Sequence, residues 1–221
     1  AYAHEGEALR HANIATPILV LHPQIQNYDQ VVLHQLEPSI YNLKTLTAFL
    51  AYAEDKELIA YPIHLKFNTG LNRLGFSKEE IPLIIDCIKK SKHVKIKSIL
   101  SHLAASEDVN EQDFTLLQIN NFKQIIQEVC RRLNYTPIAH ILNTSGVINY
   151  PEAQFDMVRC GIGLYGYGNS KKESENLIPV ASLKSVVSQI ISVSIGESVG
   201  YNRGHICRVD SKIATIPIGH A

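Results

Sequence analysis

Apolar and polar positions follow two different periods along this chain. Short apolar runs at residues 17–21, 38–41, 63–67, 94–100, 138–142 and 157–162 are bounded by polar or turn-forming residues and predict strands. Between them the spacing becomes helical. Residues 44–56 place Leu46, Phe49, Leu50 and Ala53 on one face, and residues 112–133 do the same with Phe122, Ile125, Ile126, Val129 and Leu133. Ser77-Lys-Glu-Glu80 has the form of a capping box and predicts a helix running to about Lys90, with Ile81, Ile84, Ile85 and Ile88 inward. Residues 5–12 and part of 28–36 read as two further helices. Strand and helix alternating through short connections predict a parallel sheet. About seven such units fit an α/β fold, a (β/α)8 TIM-type barrel that lacks its first unit. An open doubly wound sheet is the second choice, but no G-x-G-x-x-G follows an early strand. After Gly168 the texture changes. Residues 169–180 are polar and read as a linker, and 181–221, rich in Val, Ile and Ser without a helical period, read as the beginning of a C-terminal β domain. The expected division is a partial barrel at 1–168, that linker, and the β segment.

Composition narrows the chemistry. The 221 residues carry 21 basic and 21 acidic side chains, and such balance argues against a nucleic-acid or membrane-surface role. Cys87, Cys130, Cys160 and Cys207 stand singly, without C-x-x-C spacing, so they read as reduced cytoplasmic cysteines and not as a disulfide frame or metal site. No apolar run approaches the ~18 residues of a membrane span. The chain starts without Met inside a helical pattern and stops just after the strand-like residues 213–218, so it is expected to be a fragment.

The unusual polar residues cluster where the predicted strands end. Residues 63–67 lead into Asn68-Thr-Gly-Leu-Asn-Arg73, 94–100 into Ser101-His102, and 138–142 into Asn143-Thr-Ser-Gly146. The last run carries Arg159 beside Gly161-Ile-Gly163. In a barrel those ends meet at one mouth, with phosphate typically held after the last two strands, which here supply Thr144, Ser145, Gly161 and Ile162. Arginine keeps its proton, so Arg159 next to a glycine turn suggests a ligand with a phosphate and a ring nitrogen; an exposed arginine at a strand end is the plain alternative. Taken singly, His64 and Lys66 also fit a barrel's polar layer, His102 a structural histidine, Asn143-Thr-Ser a helix cap, and Tyr201 a turn tyrosine.

With these pieces in order, the sequence resembles the alanine racemases. The matching segments are His64-Leu-Lys-Phe-Asn-Thr-Gly-Leu-Asn-Arg-Leu-Gly75, Ser101-His-Leu-Ala-Ala-Ser-Glu-Asp108, His140-Ile-Leu-Asn-Thr-Ser145, Met157-Val-Arg-Cys-Gly-Ile-Gly-Leu-Tyr-Gly166, Val199-Gly-Tyr201 and Ala214-Thr-Ile-Pro-Ile-Gly219. The resemblance implies an isomerase that uses pyridoxal 5'-phosphate to interconvert L- and D-alanine for peptidoglycan. It implies that Arg159 faces the cofactor's ring nitrogen with His140 behind it, weakening the ring as an electron sink and so disfavouring side reactions. Thr144, Gly161 and Ile162, with Asn143 beside them, would hold the phosphate. Arg73 would meet the phenolic oxygen and the substrate carboxylate, with Lys66, carbamylated in many members, as its neighbour. Tyr201 would act as one of two bases, entering the partner subunit's site in a homodimer and tuned by His102. The other base is the lysine to which the cofactor is attached, on the first barrel strand. This chain begins after that point, so the fragment is expected to be inactive alone. Asn68 stands where many members have Asp, Leu71 where many have Met, and His220 where Tyr is common at the substrate entry. Racemisation of another amino acid, serine or lysine, and a non-catalytic pyridoxal-phosphate-binding barrel are the alternatives. A decarboxylase is disfavoured, because those relatives place a carboxylate where Arg159 stands.

Overall fold

Five parallel strands in sequential order form the main sheet of the computed structural model, which describes residues 2–219. The chain divides into two compact units, Ala1–Ile178 and Pro179–Ala221.

In the first unit, α1 (Ala3–His11) precedes β1 (Leu19–Val20), α2 (Tyr28–Leu33), β2 (Glu37–Ile40), α3 (Leu43–Asp55) and β3 (Tyr61–Lys66). Then come α4 (Ile81–Lys89), β4 (Val94–Leu100), α5 (Gln112–Arg132), β5 (Ile138–His140) and α6 (Thr144–Asn149). The helix starts follow their caps: Asn42 Oδ1 accepts from Thr45 N–H at 2.8 Å, and Ser77 N–H donates to Glu80 Oε2 at 2.7 Å. The sheet has two different faces. Ile40, Ile63, Leu65, Ile96, Ile99 and Ala139 pack under the helices with Leu46, Phe49, Ile81, Ile84, Phe122, Ile125 and Val129 in one core. The opposite face carries Glu37, Ser39, His64, Lys66, Ser98 and His140, all buried. A one-residue register shift maintains this division. Ile63 pairs with Ile96 but His64 with Ser98, so Lys97 is the extra residue of a bulge. The arrangement is an incomplete (β/α)8 barrel followed by a β-rich segment.

Several elements differ from expectation. Residues 17–21 pair only at Leu19 and Val20, and residues 138–142 only as far as His140. Residues 157–162, expected as a strand, are not one. Phe155 turns the chain through a left-handed conformation (φ 48°). Asp156 N–H then donates to Ala139 O at 3.1 Å and Arg159 N–H to Leu142 O at 3.0 Å. Those bonds recur every three residues on both sides, whereas a parallel ladder repeats every two, and the Asp156 carboxylate replaces a backbone acceptor for Ala139 N–H (2.8 Å). Ile162 starts a 3-10 turn, Ile162–Tyr165. Within the stretch read as a linker, α7 (Lys171–Ser174) buries Glu173.

The second unit holds two antiparallel pairs: β6 (Gln189–Val193) with β9 (Ser211–Thr215), and β7 (Ser198–Val199) with β8 (His205–Ile206). Its regular strands are shorter than the apolar runs suggested, and most of their side chains are exposed. No helix among the described residues is long and apolar enough to cross a membrane.

Candidate active site

Three loops and one irregular segment bring the polar residues to the C-terminal ends of β3, β4 and β5. The loop after β3 is closed at its neck by Asn68 N–H to Phe76 O and Phe76 N–H to Lys66 O, both 2.9 Å. Asn68 Oδ1 accepts from the N–H groups of Gly70 (3.1 Å) and Asn72 (3.0 Å), an Asx-type turn that carries Arg73 to the surface. Gly75 has φ 135°, and a Cβ there would lie 2.5 Å from Asn68 N and Phe67 C. No other residue fits that neck.

After β4, Ser101 Oγ donates to Phe67 O at 2.8 Å, and Gln118 of α5 accepts from Ala104 N–H at 2.9 Å. These contacts fix the segment bearing His102. After β5, Asn143 caps α6, its Oδ1 accepting from Gly146 N–H (2.9 Å) and Ser106 Oγ–H (2.8 Å). Thr144 Oγ1 accepts from Gly161 N–H (3.0 Å) and Gly163 N–H (3.2 Å), which leaves its own hydrogen without an acceptor among the described residues. A Cβ on Gly163 would meet Thr144 Cγ2 at 2.7 Å, whereas one on Gly161 would meet nothing within 4 Å. The glycine turn therefore closes on Thr144 and faces open space at Gly161.

Arg159 is the centre of the cluster. Its Nη1 donates to His140 Nδ1 and His140 O; its Nη2 donates to Ser101 O (2.6 Å), His102 Nδ1 (3.2 Å) and Ile141 O (3.3 Å). Nε–H has no acceptor among the described residues. Because a guanidinium can only donate, the Nδ1 atoms of His140 and His102 are acceptors, and each neutral ring carries its hydrogen on Nε2. Burial, then the charge of Arg159, lowers the pKa of His140 to about 3. Burial, then Arg159, Arg73 and Lys66, lowers that of His102 to about 4. Both rings are neutral near pH 7. Lys66 also loses proton affinity through burial and the neighbouring Arg73 and Arg159. Among the described residues no carboxylate bonds to Lys66, Arg73 or Arg159, so three cationic side chains converge without an anion. That donor set fits a ligand carrying phosphate and carboxylate groups.

Lys66, Arg73, His102, His140, Asn143, Thr144, Arg159, Gly161 and Ile162 all lie on these strand ends and the segments that follow them. Tyr201 belongs to the second unit, fully exposed on the turn Tyr201–Arg203 after Gly200 (φ 79°). His220 lies outside the described residues. Sequence reasoning missed Glu37, Ser98 and Gln118, buried polar residues with no motif around them, and Glu173. The Glu173 carboxylate accepts from Ser145 Oγ (3.0 Å), Asn149 Nδ2 (2.8 Å) and Asn169 N–H (2.8 Å), tying α7 to α6. Its signal was Ser170-Lys-Lys-Glu173, the same S-x-x-E form as Ser77–Glu80, with Ser170 capping Glu173 N–H.

A partial (β/α)8 barrel with an anion-seeking rim, followed by a β-rich segment, defines the class. The model of the alanine racemase N-terminal domain matches residues 1–169, and that of the alanine racemase C-terminal domain matches residues 180–221. The chain belongs to the alanine racemase family. It is 32% identical to an alanine racemase of Treponema denticola over 98% of this chain and 58% of that one. It is also 32% identical to an alanine racemase of Thermodesulfovibrio yellowstonii, over 100% of this chain and 57% of that one. Among solved structures, the biosynthetic alanine racemase of Pseudomonas aeruginosa superimposes with a TM-score of 0.84 at 25% identity, over 99% of this chain and 60% of that one. The alanine racemase of Clostridium difficile 630 gives 0.81 at 27%, over 99% and 58%. The chain thus spans just under three fifths of the length of these relatives.

Proposed function

We propose that this chain forms the cofactor- and substrate-binding part of a homodimeric alanine racemase that supplies D-alanine for peptidoglycan. The observation that carries the reading is the convergence of Lys66, Arg73 and Arg159 without a carboxylate, beside a Thr144 hydroxyl and an Ile162 N–H that have no acceptor among the described residues. Pyridoxal phosphate, when bound, supplies an electron sink that acidifies the substrate's α-hydrogen. The phosphate is assigned to the Thr144 hydroxyl and the N–H of Ile162, with Gly161, whose own N–H is bonded to Thr144 Oγ1, keeping the space beside them open and Asn143 holding the start of α6. Arg159 is assigned to the ring nitrogen, with Nε–H as the available donor. Such a donor meets an unprotonated nitrogen and restrains the sink, which suits proton removal and return over competing reactions.

Arg73 is assigned to the substrate carboxylate and Lys66 to its support. The lowered proton affinity of Lys66 makes loss of its proton easier, and the amine so formed can add to carbon dioxide with loss of a proton and give Arg73 an anionic neighbour. Tyr201, contributed by the partner subunit, takes or returns the α-proton on one face. His102 holds its hydrogen on Nε2, away from Arg159, and that N–H stabilises a tyrosinate better than a neutral phenol. His220 is assigned to the substrate entry.

The test is D-alanine formation from L-alanine by the full-length protein with added pyridoxal phosphate, with L-serine and L-lysine assayed in parallel. Alanine should turn over fastest, and Tyr201→Phe should remove most of the activity. Absence of turnover on all three amino acids would reject an amino-acid racemase, and faster turnover of serine or lysine would reassign the substrate.

A further inference from the structure

The inward face of the sheet carries an unbroken line of hydrogen bonds from Arg159 to the opposite end of the chain's polar layer. His140 Nε2 lies 3.0 Å from Ser98 Oγ, and Ser98 Oγ lies 2.5 Å from His64 Nδ1. His64 Nε2 lies 2.8 Å from Glu37 Oε2, and Lys97 Nζ donates to Glu37 Oε1 at 2.6 Å. The members come from four consecutive strands and the segment after β5. Glu37, His64, Ser98 and His140 are each 8% exposed or less. The bulge in β4 is what makes the line continuous: Lys97 is the inserted residue, and the insertion sets Ser98 opposite His64 while Ile96 stays in the apolar core.

The direction of every bond follows from its two ends. Arg159 can only donate, so His140 Nδ1 accepts and His140 Nε2–H donates to Ser98 Oγ. Ser98 has no other side-chain or backbone partner for its hydroxyl among the described residues, and a buried hydroxyl hydrogen left without an acceptor is costly. It is therefore given to His64 Nδ1, so His64 carries its hydrogen on Nε2 and donates to the Glu37 carboxylate. One protonation pattern satisfies all five residues, and it terminates at the only carboxylate in the line. Burial acts against ionisation of Glu37, but the hydrogen bonds from His64 and Lys97 outweigh it and hold its pKa below the usual carboxylate value.

We propose that Glu37, His64 and Ser98 are positioning residues for Arg159: the carboxylate on β2 orders a relay that locks the His140 ring in the tautomer able to accept from the guanidinium. This rests on the racemase reading for its catalytic consequence, but the relay itself is a property of the protein alone. A neutral His140 with the hydrogen moved to Nδ1 would confront Nη1 donor to donor and remove that bond, leaving Arg159 held by its remaining acceptors in a less restricted orientation.

The experiment uses the full-length protein with 15N-labelled histidine rings. In the wild type, the His140 and His64 signals should be those of Nε2–H tautomers, with Nδ1 accepting. Ser98→Ala cuts the line with little change of volume. It should shift His140 toward a tautomer mixture and lower kcat for alanine about tenfold, with KM within about twofold. Ser98→Thr, which restores a hydroxyl, should recover the tautomer and most of the rate. A wild-type His140 carrying hydrogen on Nδ1, or a Ser98→Ala protein whose His140 signals do not move, overturns the relay, and the wild-type measurement decides even if the variant does not fold. A protein with the expected tautomers but no racemase activity would instead overturn the racemase reading and leave the relay standing.

Discussion

Arg159 spends both terminal nitrogens on five acceptors contributed by His140, Ser101, His102 and Ile141, and only a planar fork can do so from one side chain. Arg159→Lys keeps the charge but loses the fork, so the retained cation would wander among those acceptors. The expected result is a fall in kcat/KM of about a hundredfold despite conserved charge, measured by coupled D-alanine assay. The two histidines bound to Arg159 also set a pH dependence of stability. Their folded pKa values, about 3 for His140 and about 4 for His102, lie below the ordinary 6.5, so between those values the unfolded chain binds more protons than the folded one. Their neutral burial is therefore fully tolerated above about pH 6.5 and becomes progressively destabilising as pH falls towards 3, at roughly 1.4 kcal/mol per unit of pKa difference for each ring. Urea midpoints measured from pH 7 to pH 4 should decline, and His140→Asn should flatten the decline. An unchanged slope in that variant would show that other groups govern acid sensitivity.

Elements place these residues. The β3 loop returns on itself so that Arg73 stands beside Lys66, and its neck passes Gly75 in a conformation closed to other residues both by φ and by backbone contact. Gly75→Ala should destabilise the protein by about 1–3 kcal/mol in urea unfolding, through strain that no side-chain rotation can relieve. Wild-type stability in that variant would mean the neck can open without cost. The segment after β5 shows the limit of pattern reading at this scale. Residues 157–162 are as apolar as a strand, yet a left-handed Phe155 and the Asp156 carboxylate set them along β5 out of ladder register. That irregular course is what brings Arg159 against His140 and the glycines against Thr144. The helices α3, α4 and α5 were legible because each buries a single stripe, and such a stripe leaves its period in the sequence.

At the scale of the whole molecule, a homodimer in which Tyr201 serves the partner's barrel has a specific consequence. Mixing inactive Tyr201→Phe chains with inactive Arg159→Ala chains, then refolding together, should restore about a quarter of wild-type activity, because half the dimers are mixed and each of those regains one complete site. No recovery in confirmed mixed dimers would place both residues in sites built from one chain. The sequence by itself determined the alternation of strand and helix, the apolar faces of the helices, the motifs of the barrel mouth, and through them the family, since period and local motif are properties of neighbours in the chain. Only the tertiary structure decided the polar face of the sheet. The Arg159–His140 pair was implied by the family motifs, but Glu37 and Ser98 carry no motif, and the line from His140 through Ser98 and His64 to Glu37 exists only once four strands are laid side by side with a bulge at Lys97. Burial then makes the bonds among Glu37, His64, Ser98 and His140 obligatory, because in the interior no water can replace a missing partner.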